Sequence, residues 1–317
     1  MTVRLFLTGL AFLASVALAA PPRLGLLLLS PASAQTEEEA LRAAFRDLGY
    51  AEGSSLVFES PPITGADTDV KRNAAHLVES KVDVIFAFGT PATRAALSAT
   101  KQIPIVFISG DPVTSGFADS LARPGSNATG ISVLTPELTA KRFELLRLLL
   151  PKASRLGLLY NPANPVSPRY VDEARAATVR LSVKLELYGA RNIEELEETM
   201  RTIQRDSPDG LVVAAGLTYL RDLGWLTQAV RKTRVPAVYP IREYHQSGAL
   251  MSYGFSVKDM MHRAAAYIDR ILRGARPADL PVQEINTFQL VIDMRVARQL
   301  KLDVPPELLM RADEVLR

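Results

Sequence analysis

Apolar runs alternate with helical patterns along most of the chain. In the first half, the predicted strands are 23–30, 55–60, 82–88 and 103–109, and the predicted helices are 37–48, 67–80 and 91–100. Most of these strands are continuous apolar runs, and the helices between them carry one apolar face. This arrangement predicts βαβ units and a parallel sheet that is covered on both faces.

The alternation begins again after residue 130. Here the predicted strands are 155–160, 183–189, 210–215 and 235–240, and the predicted helices are 136–150, 168–181, 193–205, 220–232 and 257–273. The two halves open on the same five letters, RLGLL, which a second copy of one α/β unit explains most simply. We therefore predict an α/β protein of two doubly wound parallel-sheet lobes joined by a hinge. The chain is expected to cross between the lobes near Gly130, Gly254 and Thr287.

The N-terminal residues have the pattern of an export signal. Arg4 precedes an apolar stretch at 5–17, and Ala-Leu-Ala at 17–19 has the small residues of a cleavage site. The alternative is an uncleaved membrane anchor. The apolar run is short for a membrane span, however, and the two prolines at 21–22 would end a helix. We therefore favour a cleaved signal peptide at 1–19 and an exported protein.

Composition excludes several classes of function. The chain has 317 residues, 48% of them hydrophobic and 22% charged, which is typical of a folded protein large enough for two lobes. Its 37 basic and 34 acidic residues are interspersed and form no basic stripe, so no nucleic-acid partner is expected. The sequence has no cysteine, which excludes disulfides, thiolate metal sites and cysteine nucleophiles.

Known catalytic, metal-binding and cofactor motifs are missing from the sequence. The three histidines, His76, His245 and His262, are well separated, and neither H-E-x-x-H nor a G-x-S-x-G elbow occurs. The dinucleotide fingerprint G-x-G-x-x-G and the P-loop are also missing. We therefore predict that the protein is not an enzyme and that it has no catalytic residues, no metal site and no cofactor.

Polar residues gather at the carboxyl ends of the predicted strands, where open parallel sheets bind their ligands. Two tyrosines in this set offer aromatic faces on which a ring can stack, although each alone is more typical of a packing residue. The predicted ligand-binding residues are Ser30, Thr90, Pro91, Ala92, Asp111, Tyr160, Asn161, Thr218, Glu243 and Tyr253.

Two of these positions allow two interpretations. With Thr90 as N-cap and Pro91 as the first helical residue, the N–H groups of Ala92 and Thr93 would face the cleft at the positive end of the helix dipole. This segment is either a carboxylate site or only a well-capped helix. Asp111 either caps its own turn or pairs with a ligand ammonium group.

Segments spread over nearly all of the chain after the signal resemble the substrate-binding proteins of ABC transporters, in the TrpX-like family. The matching segments are FRDLGYAEG (45–53), VDVIFAFGTPATRAALSAT (82–100), IPIVFISGDPVTSGFADSLARPGSNATG (103–130), LTAKRFELLRLLLP (138–151), LLYNPANP (158–165), REYHQSGALMSYG (242–254), GARPADLPV (274–282) and RADEVL (311–316). The resemblance implies a type I periplasmic-binding-protein fold whose two lobes close on a small ligand. It also implies a partner, an ABC permease in the inner membrane.

The same resemblance implies roles for several of the predicted residues. The start of the helix at 90–92 would take a ligand carboxylate, and the other matching positions are Asp111, Asn161, Glu243 and Tyr253. One departure concerns the segment after 210–215. Relatives often place an acid or an asparagine there, whereas this chain has Gly-Leu-Thr at 216–218, which weakens the expectation of an α-amino group on the ligand.

The leading hypothesis is a monomeric periplasmic solute-binding component of an ABC importer, for an amino acid or another small carboxylate. An extracytoplasmic sensing module for a membrane receptor would have the same fold and site, and an exported hydrolase would need a nucleophile that the motifs do not reveal. Lobe 1 is predicted to comprise 20–130 plus about 255–287, and lobe 2 to comprise 131–254 plus about 288–317.

Overall fold

A computed structural model of the chain describes residues 20–29, 31–63, 67–133, 136–164, 166–216 and 223–317. The predicted signal peptide and two predicted site residues, Ser30 and Thr218, lie outside these ranges. The helices are α1 (Pro31–Asp47), α2 (Asp67–Glu79), α3 (Thr90–Ala99), α4 (Glu137–Leu149), α5 (Ser167–Arg180), α6 (Ile193–Asp206), α7 (Leu223–Thr233), α8 (Val257–Leu272), α9 (Met294–Gln299) and α10 (Pro306–Met310). The strands are β1 (Arg23–Leu27), β2 (Val57–Glu59), β3 (Val84–Phe88), β4 (Ile105–Ser109), β5 (Ala128–Ser132), β6 (Arg155–Tyr160), β7 (Lys184–Gly189), β8 (Gly210–Val213), β9 (Ala237–Ile241), β10 (Met251–Phe255), β11 (Gln283–Glu284), β12 (Gln289–Asp293) and β13 (Glu314–Leu316).

The described strands form two sheets. The first has the strand order β11-β5-β4-β3-β1-β2, and the second has the order β13-β12-β10-β9-β8-β6-β7. Every strand pair of the first sheet is parallel. The second sheet is parallel except where β12 pairs with β10, because β10 runs towards the first sheet and β12 returns from it. The predicted α/β class with two doubly wound parallel sheets is confirmed.

Helices cover both faces of the first sheet. Strand β4 is buried along its whole length, so both of its faces pack against apolar side chains. Val106 and Ile108 join the core beneath α1 and α8, whereas Ile105 and Phe107 join the core beneath α2 and α3. This alternation follows from the two-residue period of a strand.

The second sheet is built in the same way. On strand β8, Val212 belongs to the core that α4 and α5 cover, while Leu211 and Val213 belong to the core that α6 and α7 cover. Each sheet with its own helices forms one lobe. The polar groups available for a ligand are therefore at the strand ends, because the strands themselves are enclosed.

The chain changes sheet at three places. Strand β5 belongs to the first sheet and β6 to the second, and β11 belongs to the first sheet while β12 belongs to the second. Strand β10 lies in the second sheet, and the following helix α8 packs against α1 in the first lobe. We keep the predicted limits of the two lobes as a proposal, which these three changes of sheet support.

Strand β5 was not predicted from the sequence. The residues Ala-Thr-Gly-Ile-Ser at 128–132 lack an apolar run, yet all five are buried. The hydroxyl of Thr129 donates to the carbonyl oxygen of Leu280 at 2.7 Å, which allows a polar side chain inside the lobe. Helix α1 also begins at Pro31, six residues before the predicted start at 37.

Candidate ligand-binding site

The carboxyl ends of the two sheets face each other across a cleft, which we define by its two sides. On the first-lobe side, the chain leaves β3 at Gly89 and β4 at Gly110. On the second-lobe side, β6 is followed by the turn that leads into α5. The Arg169 guanidinium of α5 reaches Asp111 in the first lobe at 3.0 Å. The chain segments that follow β4 and β6 are therefore in contact across the cleft.

The start of helix α3 differs from the prediction in one respect. The predicted N-cap, Thr90, is the first helical residue, and the N-cap is Gly89 with φ of 95°. A positive φ of this size is readily adopted only by glycine, which explains the shift by one position. The Thr90 hydroxyl is hydrogen-bonded to the Ser109 hydroxyl at 3.0 Å, so the ends of β3 and β4 meet here.

The first turn of α3 leaves backbone donors near the cleft. The prediction that the N–H of Thr93 faces the cleft is wrong, because this group donates to the Gly89 carbonyl at 3.0 Å. No side chain caps the turn before it, so the earlier N–H groups remain. The side chain of Ala92 is fully buried in the core, so at this position only the backbone N–H is suited to a ligand. A helix N-terminus of this kind favours anions.

Both carboxylate oxygens of Asp111 have partners within the protein. One carboxylate oxygen accepts from the Thr114 N–H at 3.0 Å, which caps its own turn. The other oxygen pairs with Arg169, whose second amino group bonds to Glu137 in α4 at 2.8 Å. The structure thus contains the turn cap that the sequence allowed, and the position predicted for a ligand ammonium group holds a guanidinium from the other lobe.

Asn161 and Tyr160 follow strand β6 in the second lobe. The side-chain oxygen of Asn161 accepts from the Ala163 N–H at 2.8 Å, and its carbonyl accepts from the Ser167 hydroxyl at 2.5 Å. These bonds fix the turn that leads into α5. Tyr160 lines an open surface cavity of about 560 Å³ together with Val171 and Arg175. All residues that line this cavity belong to the second lobe, and Pro162 lies in the turn that forms the second-lobe side of the cleft.

Glu243 lies in the 3-10 helix Arg242–Ser247 and is buried. One carboxylate oxygen accepts from the Val257 N–H at 2.8 Å and from the Ser256 hydroxyl at 3.2 Å, which ties the second lobe to the first turn of α8. The other oxygen has no hydrogen-bond partner among the described residues. Burial raises the pKa of Glu243 above its usual range. Its role in ligand binding stays a prediction.

Tyr253 lies in β10, three strands away from β6 in the second sheet. At a strand spacing of about 4.8 Å, this separates it from Tyr160 by roughly 14 Å. The Tyr253 ring is half-buried and lies 6.3 Å from the Phe288 ring. Its carbonyl accepts from Nε of Arg142 at 2.8 Å.

Sequence reasoning missed Arg142. The residue lies in α4 within a buried stripe and is itself fully buried. Its position carried a readable signal, because Thr139, Arg142, Phe143 and Leu146 recur at the spacing of one helix face. A charged residue in an otherwise enclosed face is rare and has a structural or functional cause.

Comparison with known proteins identifies the family. A sequence model described as "ABC transporter substrate binding protein" matches residues 27–316, nearly all of the chain. The chain belongs to the ABC transporter substrate-binding protein family. Members of this family bind small-molecule ligands and deliver them to a permease, and the family is not one of enzymes.

One curated relative and two solved structures are similar to this substrate-binding protein over most of its length. A tyrosine-binding protein from Clostridioides difficile (strain R20291) is 25% identical over 251 residues, which cover 79% of this chain and 72% of that protein. A conserved domain protein from Vibrio cholerae has a TM-score of 0.82 and 27% identity, covering 93% of this chain and 99% of its own. The ABC domain from Streptococcus pneumonia in complex with L-Trp has a TM-score of 0.82 and 23% identity, covering 93% and 100%.

These structures share the type I periplasmic-binding-protein fold, so the predicted fold and the resemblance to TrpX-like proteins are both confirmed. In the described part of the substrate-binding protein, no helix is long and apolar enough to cross a membrane.

Proposed function

We propose that this substrate-binding protein is the periplasmic component of an ABC importer, which closes two lobes on one small ligand and presents it to a permease in the inner membrane. The observation that carries the proposal is the match of one transporter family over residues 27–316. The two lobes, whose strand ends contact each other through Asp111 and Arg169, support closure as the mode of binding. We further propose that the protein acts as a monomer.

The proposed ligand is an amino acid or another small carboxylate. The names of two relatives, a tyrosine-binding protein and a domain in complex with L-Trp, support this class. The uncapped first turn of α3 supports a carboxylate position on the first-lobe side. Because Asp111 already holds Arg169, an ammonium group would have to displace a guanidinium. This favours a carboxylate without an α-amino group.

A thermal-shift screen of amino acids and small mono- and dicarboxylates tests the proposal. A compound present at about one hundred times its Kd stabilises the folded state by about 2.7 kcal/mol, which is readily seen as a rise in Tm. We expect at least one acid to raise the Tm in proportion to the logarithm of its concentration. A correctly folded protein that none of these compounds stabilises would contradict the proposed ligand class.

Transport is tested separately in whole cells. Uptake of the labelled compound from the screen is expected to stop when the gene for this protein is deleted and to return when the gene is restored. Unchanged uptake, together with tight binding in vitro, would argue for a sensing role instead.

A further inference from the structure

Arg142 is the largest of the fully buried side chains that the structure describes. Its Nε donates to the Tyr253 carbonyl at 2.8 Å. Both terminal nitrogens, Nη1 and Nη2, are shielded from solvent and have no hydrogen-bond partner in the described part of the chain. The donors of these two nitrogens therefore lack acceptors, although buried polar groups are almost always paired.

The guanidinium lies at the carboxyl ends of the strands of the second sheet. It bonds to Tyr253 near the end of β10, and Nη2 is 3.3 Å from the position that a Cβ on Gly254 would take. A side chain at 254 would overlap the carbonyl oxygen of Pro240, so only glycine allows this close approach of β9 and β10. The edge where Arg142 lies is the one at which open parallel sheets bind ligands.

No carboxylate is hydrogen-bonded to Arg142 among the described residues. The groups that interact electrostatically with it are Tyr170, Tyr244 and Tyr253, and no carboxylate is among these described neighbours. Burial lowers the pKa of Arg142 to about 10, so the guanidinium remains a cation at neutral pH. A buried cation without a counter-ion is far more costly than an unpaired neutral group.

Two hydroxyl groups near Arg142 are also unpaired. Thr139 lies one turn earlier on the same face of α4, and neither its hydroxyl oxygen nor that of Tyr244 has a partner among the described residues. Water would supply acceptors for these donors but not the missing charge. A bound anion would supply both.

We infer that Arg142 binds an anionic group of the transported ligand, a carboxylate, on the second-lobe side of the cleft. The inference rests on the proposed function. With the first turn of α3 as the carboxylate position on the first-lobe side, the ligand class becomes a small dicarboxylate. A planar guanidinium donates two parallel hydrogen bonds to one carboxylate, a geometry that a neutral amide on the ligand does not reproduce.

Calorimetric titration with named probes tests the inference. The probes are succinate, glutarate, their half-amides succinamate and glutaramate, L-tyrosine and sodium chloride, all at one ionic strength. The variants are R142Q, which keeps N–H donors and removes the charge, and R142K, which keeps the charge. R147Q is the matched control, because it makes the same change on the same helix, where Arg147 bonds to the Leu150 carbonyl.

We expect a dicarboxylate to bind the unchanged protein at least about tenfold more tightly than its half-amide. R142Q should weaken binding of the dicarboxylate by at least about tenfold and leave binding of the half-amide unchanged. R142K should give an intermediate affinity, and R147Q should bind like the unchanged protein. If R142Q does not fold, R142K is the deciding variant. An affinity of R142K for the dicarboxylate equal to that of the unchanged protein would then overturn the inference.

Three other results would overturn it. These results are equal affinities for the dicarboxylate and its half-amide, an unchanged affinity of R142Q for the dicarboxylate, and binding of chloride as tight as that of the dicarboxylate. Binding of L-tyrosine alone would overturn this inference and leave the proposed function intact. A protein that binds none of the organic probes, and no compound of the wider screen, would contradict both.

Discussion

The side chain of Asp111 has one partner in its own turn and one partner in the other lobe. Its position before Pro112 allows either a turn cap or a pair with a ligand ammonium group, and the bond to the Thr114 N–H shows that the cap forms. Its second partner, Arg169, is 58 residues away along the chain. No local pattern marks this pair, because it exists only when the two lobes meet. Arg142 was missed for another reason: its helix face carried a local signal, but its missing counter-ion is a property of its surroundings in the fold.

Replacing Arg169 with glutamine removes the ion pair across the cleft. Because Arg169 is nearly half exposed, such a pair contributes only about 0.2–1 kcal/mol, so the Kd of the bound carboxylate should rise by up to about fivefold. Calorimetry of R169Q at low and high salt measures this change, which should vanish near 1 M salt. R175Q on the same helix is the control, and an equal effect in both variants would contradict a role for the Asp111 pair.

His245 makes stability dependent on pH. It is buried, its Nε2 lies 2.9 Å from the Ser252 hydroxyl, and burial lowers its pKa to about 4. Because the unfolded chain binds a proton near pH 6.5 and the folded chain does not, stability is lost as the pH falls from about 6.5 towards 4, by up to about 3 kcal/mol. Urea unfolding of the unchanged protein and of H245Q over this range measures the difference. Parallel pH profiles would show that His245 has the same pKa in the folded and unfolded states, and would contradict the prediction.

At the scale of elements, the apolar runs predicted most of the first sheet and the helices between its strands. Strand β4 was readable because Ile-Val-Phe-Ile is buried on both faces, whereas β5 is built from small and polar residues whose hydroxyls are satisfied by distant backbone. The start of α3 was displaced by one residue, since the backbone conformation of Gly89 is not encoded in hydrophobicity. Local patterns thus predict most of the helices and strands, and long-range contacts decide at which residues they begin and end.

Replacing Gly89 with alanine tests the first turn of α3. The residue has φ of 95°, so alanine should destabilise the protein by about 1–2 kcal/mol and disturb the predicted carboxylate position. G49A is the matched control, because Gly49 has φ of 86° and open space around it, far from the strand ends. Both substitutions should lower the Tm, but only G89A should also weaken binding of the carboxylate in a calorimetric titration. If G89A binds the carboxylate as tightly as the unchanged protein does, the carboxylate does not bind at the first turn of α3.

Glu243 connects the lobes through the start of helix α8. In E243A, the buried Val257 N–H loses its acceptor, which should cost about 1–3 kcal/mol. E243Q keeps a side-chain oxygen and removes a buried charge, so it should be close to neutral. The raised pKa of Glu243 means that its ionisation destabilises the fold as the pH rises through that pKa. The stability of E243Q, measured by unfolding curves over the same pH range, should therefore not fall in this way. If E243Q loses as much stability as the unchanged protein, Glu243 is not the group that titrates.

At the scale of the whole molecule, the carboxyl ends of the two sheets meet through Asp111 and Arg169, and the described part of the chain changes sheet three times. The sequence predicted this architecture and placed polar residues at the strand ends. It did not predict how those residues pair. Asp111 and Asn161 accept hydrogen bonds within the protein, and Glu243 does so with one of its two carboxylate oxygens. Among the described residues, the groups that we propose for the ligand are the backbone of α3 and the guanidinium of Arg142, which sequence reasoning missed.

We propose that this protein binds one small carboxylate between its two lobes. Calorimetric titration of the most stabilising acid from the thermal-shift screen measures this binding. We expect saturable heat with one ligand per chain and a Kd of about 1 μM, which corresponds to about 8 kcal/mol. A folded protein that gives no saturable heat with any acid of the screen would contradict it.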